Sequence, residues 1–164
     1  MDRFTSNTIN NVDKKGRVSV PASFRAVLKN QGELHALMSV DHRVVEAGGH
    51  DMIAWYQKRL EQLDPFSQEY EDWSFYINGD ALELKLDGEG RFQLSDRICE
   101  QTGITDKVLF EGRGRSFWIW EPGEYEEYRS SARERVRALK RSLGSNAVMS
   151  SGTSAGAAGR EQGS

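Results

Sequence analysis

Asp13-Lys14-Lys15-Gly16-Arg17-Val18-Ser19-Val20-Pro21 is the stretch that decides the fold, because its pattern returns as Asp87-Gly88-Glu89-Gly90-Arg91-Phe92-Gln93-Leu94. Both copies read Asp-x-x-Gly-Arg followed by alternating apolar positions, at an offset of 87 − 13 = 74 residues. Two copies at that period are too few and too long for a solenoid, so the chain reads as a duplicated small domain. An aspartate at the head of a turn accepts from backbone N–H groups two residues on, and glycine supplies the positive φ of a tight hairpin. Val18 and Val20 then share one strand face with Arg17 and Ser19 on the other, and Phe92 and Leu94 oppose Arg91 and Gln93 in the same way. Each copy therefore sets an arginine on a polar face just after a glycine turn.

Working outward, the first copy predicts strands over 7–12 and 17–20, a short helix over 21–28 opened by Pro21, and strands over 34–39 and 43–46. Helical spacing of Met52, Trp55, Tyr56, Leu60 and Leu63 predicts a helix over 51–63, and Phe66, Tyr70, Trp73 and Ile77 a second over 66–77. The second copy repeats the order: strands over 81–86 and 91–94, a helix capped by Ser95 and ended by Gly103, and strands over 107–111 and 116–120. A long helix follows, acidic early and basic late, in keeping with its dipole. The organisation expected is module 1 over 7–49, a helical linker over 50–80, module 2 over 81–124, a C-terminal helix over 125–143, and a disordered tail over 144–164, where Ser, Gly and Ala replace any core pattern.

With 164 residues and 37% hydrophobic content, two half-domains sharing a core are feasible. The single Cys99 forms no intrachain disulfide, and His35, His42 and His50 lack ligand spacing, so no metal site is expected. No catalytic triad, carboxylate pair or phosphate-cradling loop is visible. The chain is read as a non-enzyme without cofactor or small-molecule substrate. The N-terminus lacks a signal-type apolar region and no run approaches a membrane span, so a cytoplasmic protein is expected. The formal charge of −3 weighs against a nucleic-acid partner, but it averages over a surface whose acidic residues cluster away from both turns.

One Asp-x-x-Gly-Arg string is ordinarily an exposed hairpin and nothing more. Two at matching places in a duplicated unit suit bidentate contacts with guanine or phosphate. Lys14, Lys15 and Arg25 are read as flanking the first turn, whereas Gly88 and Glu89 stand where the second would carry lysines, so the first copy is expected to attract a DNA backbone more strongly. Gly112-Arg113-Gly114-Arg115 reads as a hairpin whose glycines the turn itself requires. Cys99 reads as core, and the four tryptophans as packing residues, with Trp118 and Trp120 alternatively facing a neighbouring subunit.

On these residues, from the first motif through Pro21 to the second Asp87-Gly88-Glu89-Gly90-Arg91, the chain resembles the MraZ family of bacterial transcriptional regulators over about residues 1–143. The resemblance implies an α+β fold, mainly β with helices, made of two tandem AbrB-like swapped-hairpin modules with a double-psi-like barrel form and pseudo-two-fold symmetry. It implies a ring-forming homo-oligomer that binds repeated short sites in double-stranded promoter DNA and represses the division and cell wall genes among which its own gene lies. Carried over by motif, Arg17 and Arg91 make the DNA contacts, while Asp13, Gly16, Asp87 and Gly90 shape the turns. The second copy lacks the proline that ends the first motif. The alternatives are an AbrB-like antitoxin, although the tail lacks the apolar anchors that wrapping a toxin requires, a transition-state-type DNA-binding protein, and a purely structural ring.

Overall fold

The strands flanking each turn find their partners in the other repeat. The computed structural model describes residues 2–163, with side chains through Gly144. In chain order the elements are β1 (Asn7–Asn11), β2 (Arg17–Ser19), α1 (Ala22–Leu28), β3 (Leu34–Met38), β4 (Val45–Gly48), α2 (His50–Glu61), α3 (Gln68–Ser74), β5 (Leu82–Leu84), β6 (Arg91–Gln93), α4 (Asp96–Thr102), β7 (Lys107–Gly112), β8 (Phe117–Trp120) and α5 (Pro122–Gly163). Six strands form an antiparallel sheet in the order β1-β7-β8-β4-β3-β5, and β2 and β6 form a separate ribbon. The fold is thus α+β and mainly sheet. The sheet is open, with β1 and β5 at its edges, and does not close into the barrel expected from the resemblance.

Pairing registers obey the repeat. Ile9 faces Leu109 at one edge and His35 faces Glu83 at the other; 9 + 74 is 83 and 109 − 74 is 35, so the offset converts one pair into the other. In the ribbon Val18 faces Phe92, its own counterpart in the second copy. Both side chains are buried, and they join Phe4, Phe24, Phe110, Phe117, Ile98 and Ile119 in one core shared by the two repeats. Phe117 sits at the centre of a ring cluster, its centroid 5.0 Å from Phe4, 5.1 Å from Phe24 and 6.0 Å from Phe110.

The helices start and stop for local reasons. Pro21 stands immediately before α1, where its fixed φ suits helix entry. Ser95 Oγ accepts from the Ile98 N–H at 3.4 Å, and Gly103, at φ +77°, ends α4 by donating to the Cys99 carbonyl. Ser67 caps α3 by accepting from the Tyr70 N–H.

Two elements depart from the sequence pattern. The fourth strand, expected over 43–46, lies at Val45–Gly48. The preceding residues place their backbone groups elsewhere: the N–H groups of Asp41 and His42 donate to Ser39 Oγ, and Gln101 Nε2 donates to the carbonyls of Ser39, His42 and Val44. The helix expected over 66–77 is α3 followed by a π turn at Phe75–Gly79, closed by the Asp80 N–H on the Phe75 carbonyl at 2.7 Å.

The chain divides into a body, Met1–Tyr125, and a helical unit, Glu126–Ser164. The α5 backbone is helical through Gly163, and the expectation of a disordered tail over 144–164 falls almost wholly on residues whose side chains lie outside those described. Among the described residues, no helix is long and apolar enough to cross a membrane.

Removing the ring at the centre of the cluster leaves a cavity among three other phenylalanines. Phe117→Ala should cost about 3–5 kcal/mol of unfolding free energy in a urea titration.

Candidate nucleic-acid interface

Both Asp-x-x-Gly-Arg turns are built bond for bond alike. Asp13 Oδ1 accepts from the N–H groups of Lys15 and Arg17, each at 2.9 Å, and Oδ2 accepts from Arg17 Nε at 2.8 Å. Asp87 does the same for the N–H groups of Glu89 and Arg91 and for Arg91 Nε, at the same distances. The Gly16 and Gly90 N–H groups donate to the carbonyls of Asp13 and Asp87. Their φ values of +79° and +77° lie in the left-handed region that glycine enters without strain. The aspartate is therefore the keystone of its turn: one oxygen organises the backbone, the other orients the arginine. These bonds, led by the arginine's own backbone N–H, hold both carboxyls below the ordinary value of 3.8.

The ribbon sets the two turns together. Arg17 faces Gln93 and Ser19 faces Arg91. The Leu94 N–H donates to the Gly16 carbonyl at 2.9 Å, and the Val20 N–H to the Gly90 carbonyl at 3.0 Å, a matched pair that ties each turn to the other repeat. All of Asp13, Gly16, Arg17, Asp87, Gly90 and Arg91 thus belong to one continuous structure. Lys14 and Lys15 lie on the tip of the first turn, and both are exposed.

Side chains from opposite repeats complete the arrangement, and here the sequence reading needs correction. Arg25 does not flank the first turn. Its Nη1 donates to the Glu89 carbonyl at 3.3 Å, and its Cδ lies 2.3 Å from where a Cβ on Gly90 would stand. Gln93, which sequence reasoning missed as a site residue, clasps the first turn in return: its Nε2 donates to the carbonyls of Lys15 and Gly16, and sits 2.6 Å from a Cβ placed on Gly16. Each glycine is required twice, for its φ and for the side chain laid across it. The only hint in the sequence is that residue 93 is polar on the same strand face as Arg91.

Electrostatically the turns differ. The first carries Lys14, Lys15 and Arg17 against Asp13. In the second, Arg91 Nη1 also pairs with Glu89 at 3.2 Å, so one arginine meets two carboxylates. The side chain of Arg17 is 30% exposed and that of Arg91 is 26% exposed, which leaves both reachable. With Nε committed to the aspartate, the outer Nη edge is the part of Arg17 suited to bidentate work.

The other candidates serve packing. Cys99 lies against the core, and burial raises its thiol pKa, opposite to the depression of a nucleophile. Trp120 is buried, and Trp118 is half-buried with the Arg113 guanidinium 3.7 Å from its ring. Among the described residues, no group of three or more His, Cys, Asp or Glu side chains could hold a metal.

The class so defined is a duplicated α+β protein that sets two copies of an arginine-bearing turn around one two-stranded ribbon. Residues 77–144 match the family described as "MraZ protein, putative antitoxin-like". The chain is 41% identical over 150 residues to the Transcriptional regulator MraZ of Beijerinckia indica subsp. indica, covering 90% of this chain and 92% of that protein. It is 40% identical over 145 residues to the protein of the same name from Rhizobium leguminosarum bv. trifolii, covering 87% of this chain and all of the relative. The chain belongs to the MraZ family.

Gly114 tests the double requirement on Gly90, since it too has a positive φ, +85°, but no atom within 4 Å of an added Cβ. Gly114→Ala should cost the backbone strain alone, about 1–2 kcal/mol, and Gly90→Ala measurably more, with urea unfolding as the readout. The depressed carboxyls add a pH signature. Their stabilisation is complete above the ordinary value of 3.8 and is lost as the pH falls below it through the folded value. Replacing both Asp13 and Asp87 by Asn should flatten this acid limb in unfolding titrations.

Proposed function

We propose that this protein is a sequence-specific DNA-binding transcriptional regulator that represses the division and cell wall gene cluster containing its own gene. It reads repeated short promoter sites with Arg17 and Arg91. The observation that carries this reading is the pair of aspartate-oriented arginines presented by one ribbon. An oriented guanidinium that remains reachable suits guanine or phosphate, and a second in equivalent setting allows both to be engaged together. Asp13, Gly16, Asp87 and Gly90 act by shaping the turns. Lys14 and Lys15 supply attraction to the DNA backbone that the second turn, with Glu89, does not match.

Assembly into a homo-oligomeric ring multiplies the turns on one promoter and raises effective concentration, so a chain with net charge −3 holds DNA through local interactions. The protein would then act in the cytoplasm, at the nucleoid. The family description's word "antitoxin-like" supports the alternative of an AbrB-like antitoxin. A small ribonuclease gene beside this one would favour it, and division and peptidoglycan genes would favour the regulator.

Binding to the chain's own upstream promoter, followed through a salt series, is the decisive test. Arg17→Ala and Arg91→Ala should each weaken binding by about 1–3 kcal/mol, with Arg17 the larger. Removing the charges of Lys14 and Lys15 should flatten the salt dependence by roughly 0.9 in log slope for each phosphate that is no longer neutralised. Unchanged binding in both arginine variants, with the fold intact, would reject the turns as the reading head.

A further inference from the structure

Away from the turns, α2, α3 and the π turn leave a groove of about 640 Å³ whose walls are aromatic and whose rim is acidic. Tyr56, Trp73 and Tyr76 pack against one another, with centroids 5.7–6.4 Å apart, and are half-buried. Beside them Phe75 is 61% exposed and Val40 is 80% exposed, an apolar surface with no use in the DNA reading. The charged residues lining the groove are Asp41, Glu69 and Asp72. Burial first, then the carboxylates of Glu46, Asp41 and Asp80, push the Tyr76 hydroxyl up to about 12. Trp55, which also lines the groove, carries two guanidinium groups, Arg59 at 3.9 Å and Arg115 at 4.5 Å, so the aromatic wall attracts cations.

The same sequence contains a segment of the opposite character. In α5, Val136, Leu139 and Leu143 fall at i, i+3 and i+7, on one helical face, and each is more than half exposed. Arg133 and Lys140 flank that stripe at helical spacing and are exposed as well. An apolar stripe edged with cations matches an aromatic groove edged with carboxylates, both in the chemistry of its floor and in the sign of its rim.

We propose that the groove is an assembly surface, and that its occupant is the basic, apolar-striped part of α5 from a second copy of this chain. Leu139 and its neighbours lie on the Trp73–Tyr76 floor, and Arg133 and Lys140 meet Glu69 and Asp72. Because groove and stripe are different surfaces, the contact is head-to-tail and propagates from copy to copy, closing into a ring where the rotation allows. The proposal deepens the assembly part of the regulator reading and rests on it.

Charge exchange tests it with surface residues, so folding is spared and circular dichroism can verify it. Glu69→Lys with Asp72→Lys, or Arg133→Glu with Lys140→Glu, should each raise the concentration needed for assembly by about tenfold or more in sedimentation velocity of the full chain without DNA. Combining all four should restore much of it. Unchanged assembly in both double variants would overturn the proposal, as would a quadruple variant no better than either double. A groove covered by the chain's own helix would likewise overturn it, revealed by Trp73 fluorescence that responds to the exchanges but not to dilution. Failure here leaves the arginine-turn reading standing, because no DNA is involved. Unchanged promoter binding by Arg17→Ala and Arg91→Ala, with assembly intact, would strike that reading alone.

Discussion

The backbone pairing of β2 with β6 is the constraint on which the remainder depends. It brings residues that are 74 apart in sequence into register, buries Val18 against Phe92, and thereby fixes the spacing and relative direction of the two turns. Everything polar in the interface hangs from it: the matched backbone bonds at Gly16 and Gly90, and the reciprocal clasp of Gln93 and Arg25. An arginine on an isolated hairpin would sample many rotamers and lose that entropy on binding DNA. Within each turn the aspartate narrows the rotamers of its own arginine, and the ribbon places the two turns relative to each other.

The symmetry is nevertheless incomplete, and the departures are chemical rather than architectural. The residues that determine the backbone, Asp, Gly and Arg, are the same in both copies. Those that determine charge are not: two lysines in one turn answer to glycine and glutamate in the other. The clasping side chains also differ, a neutral amide on the first turn and a guanidinium on the second. Arg25 thus returns to the second turn some of the positive charge its own sequence lacks, although it originates in the first repeat.

The repeat made much of this legible. Alternation around each motif located β2 and β6, Ser95 and Gly103 marked the ends of α4, and the matching aspartates, glycines and arginines emerged as one structure. What stayed hidden involves contacts far apart in sequence. Gln93 reaches Lys15 across 78 residues and Arg25 reaches Glu89 across 64, distances over which periodicity carries no signal. The displacement of β4 involves the same kind of contact, since Gln101, about 60 residues away, donates to the carbonyls of Ser39, His42 and Val44 ahead of the strand. The open sheet differs from the expected barrel because a motif specifies its turn and its immediate strand, not whether the outer strands meet.

The exchange of edge strands also sets a timetable for synthesis. β1 ends at Asn11 and pairs with β7, which begins at Lys107, 107 − 11 = 96 residues later. At roughly 5–20 residues per second the ribosome needs about 5–20 s to deliver that partner. Throughout this interval the nascent first repeat can form its β3–β4 hairpin but must carry β1 and the side of β4 that later pairs with β8 as open edges, the surfaces most prone to pair with a neighbouring chain. Polysomes making this protein therefore hold several such half-templates in close proximity. The charges of Lys14 and Lys15, translated within this vulnerable stretch, give each one a mutual repulsion during the wait.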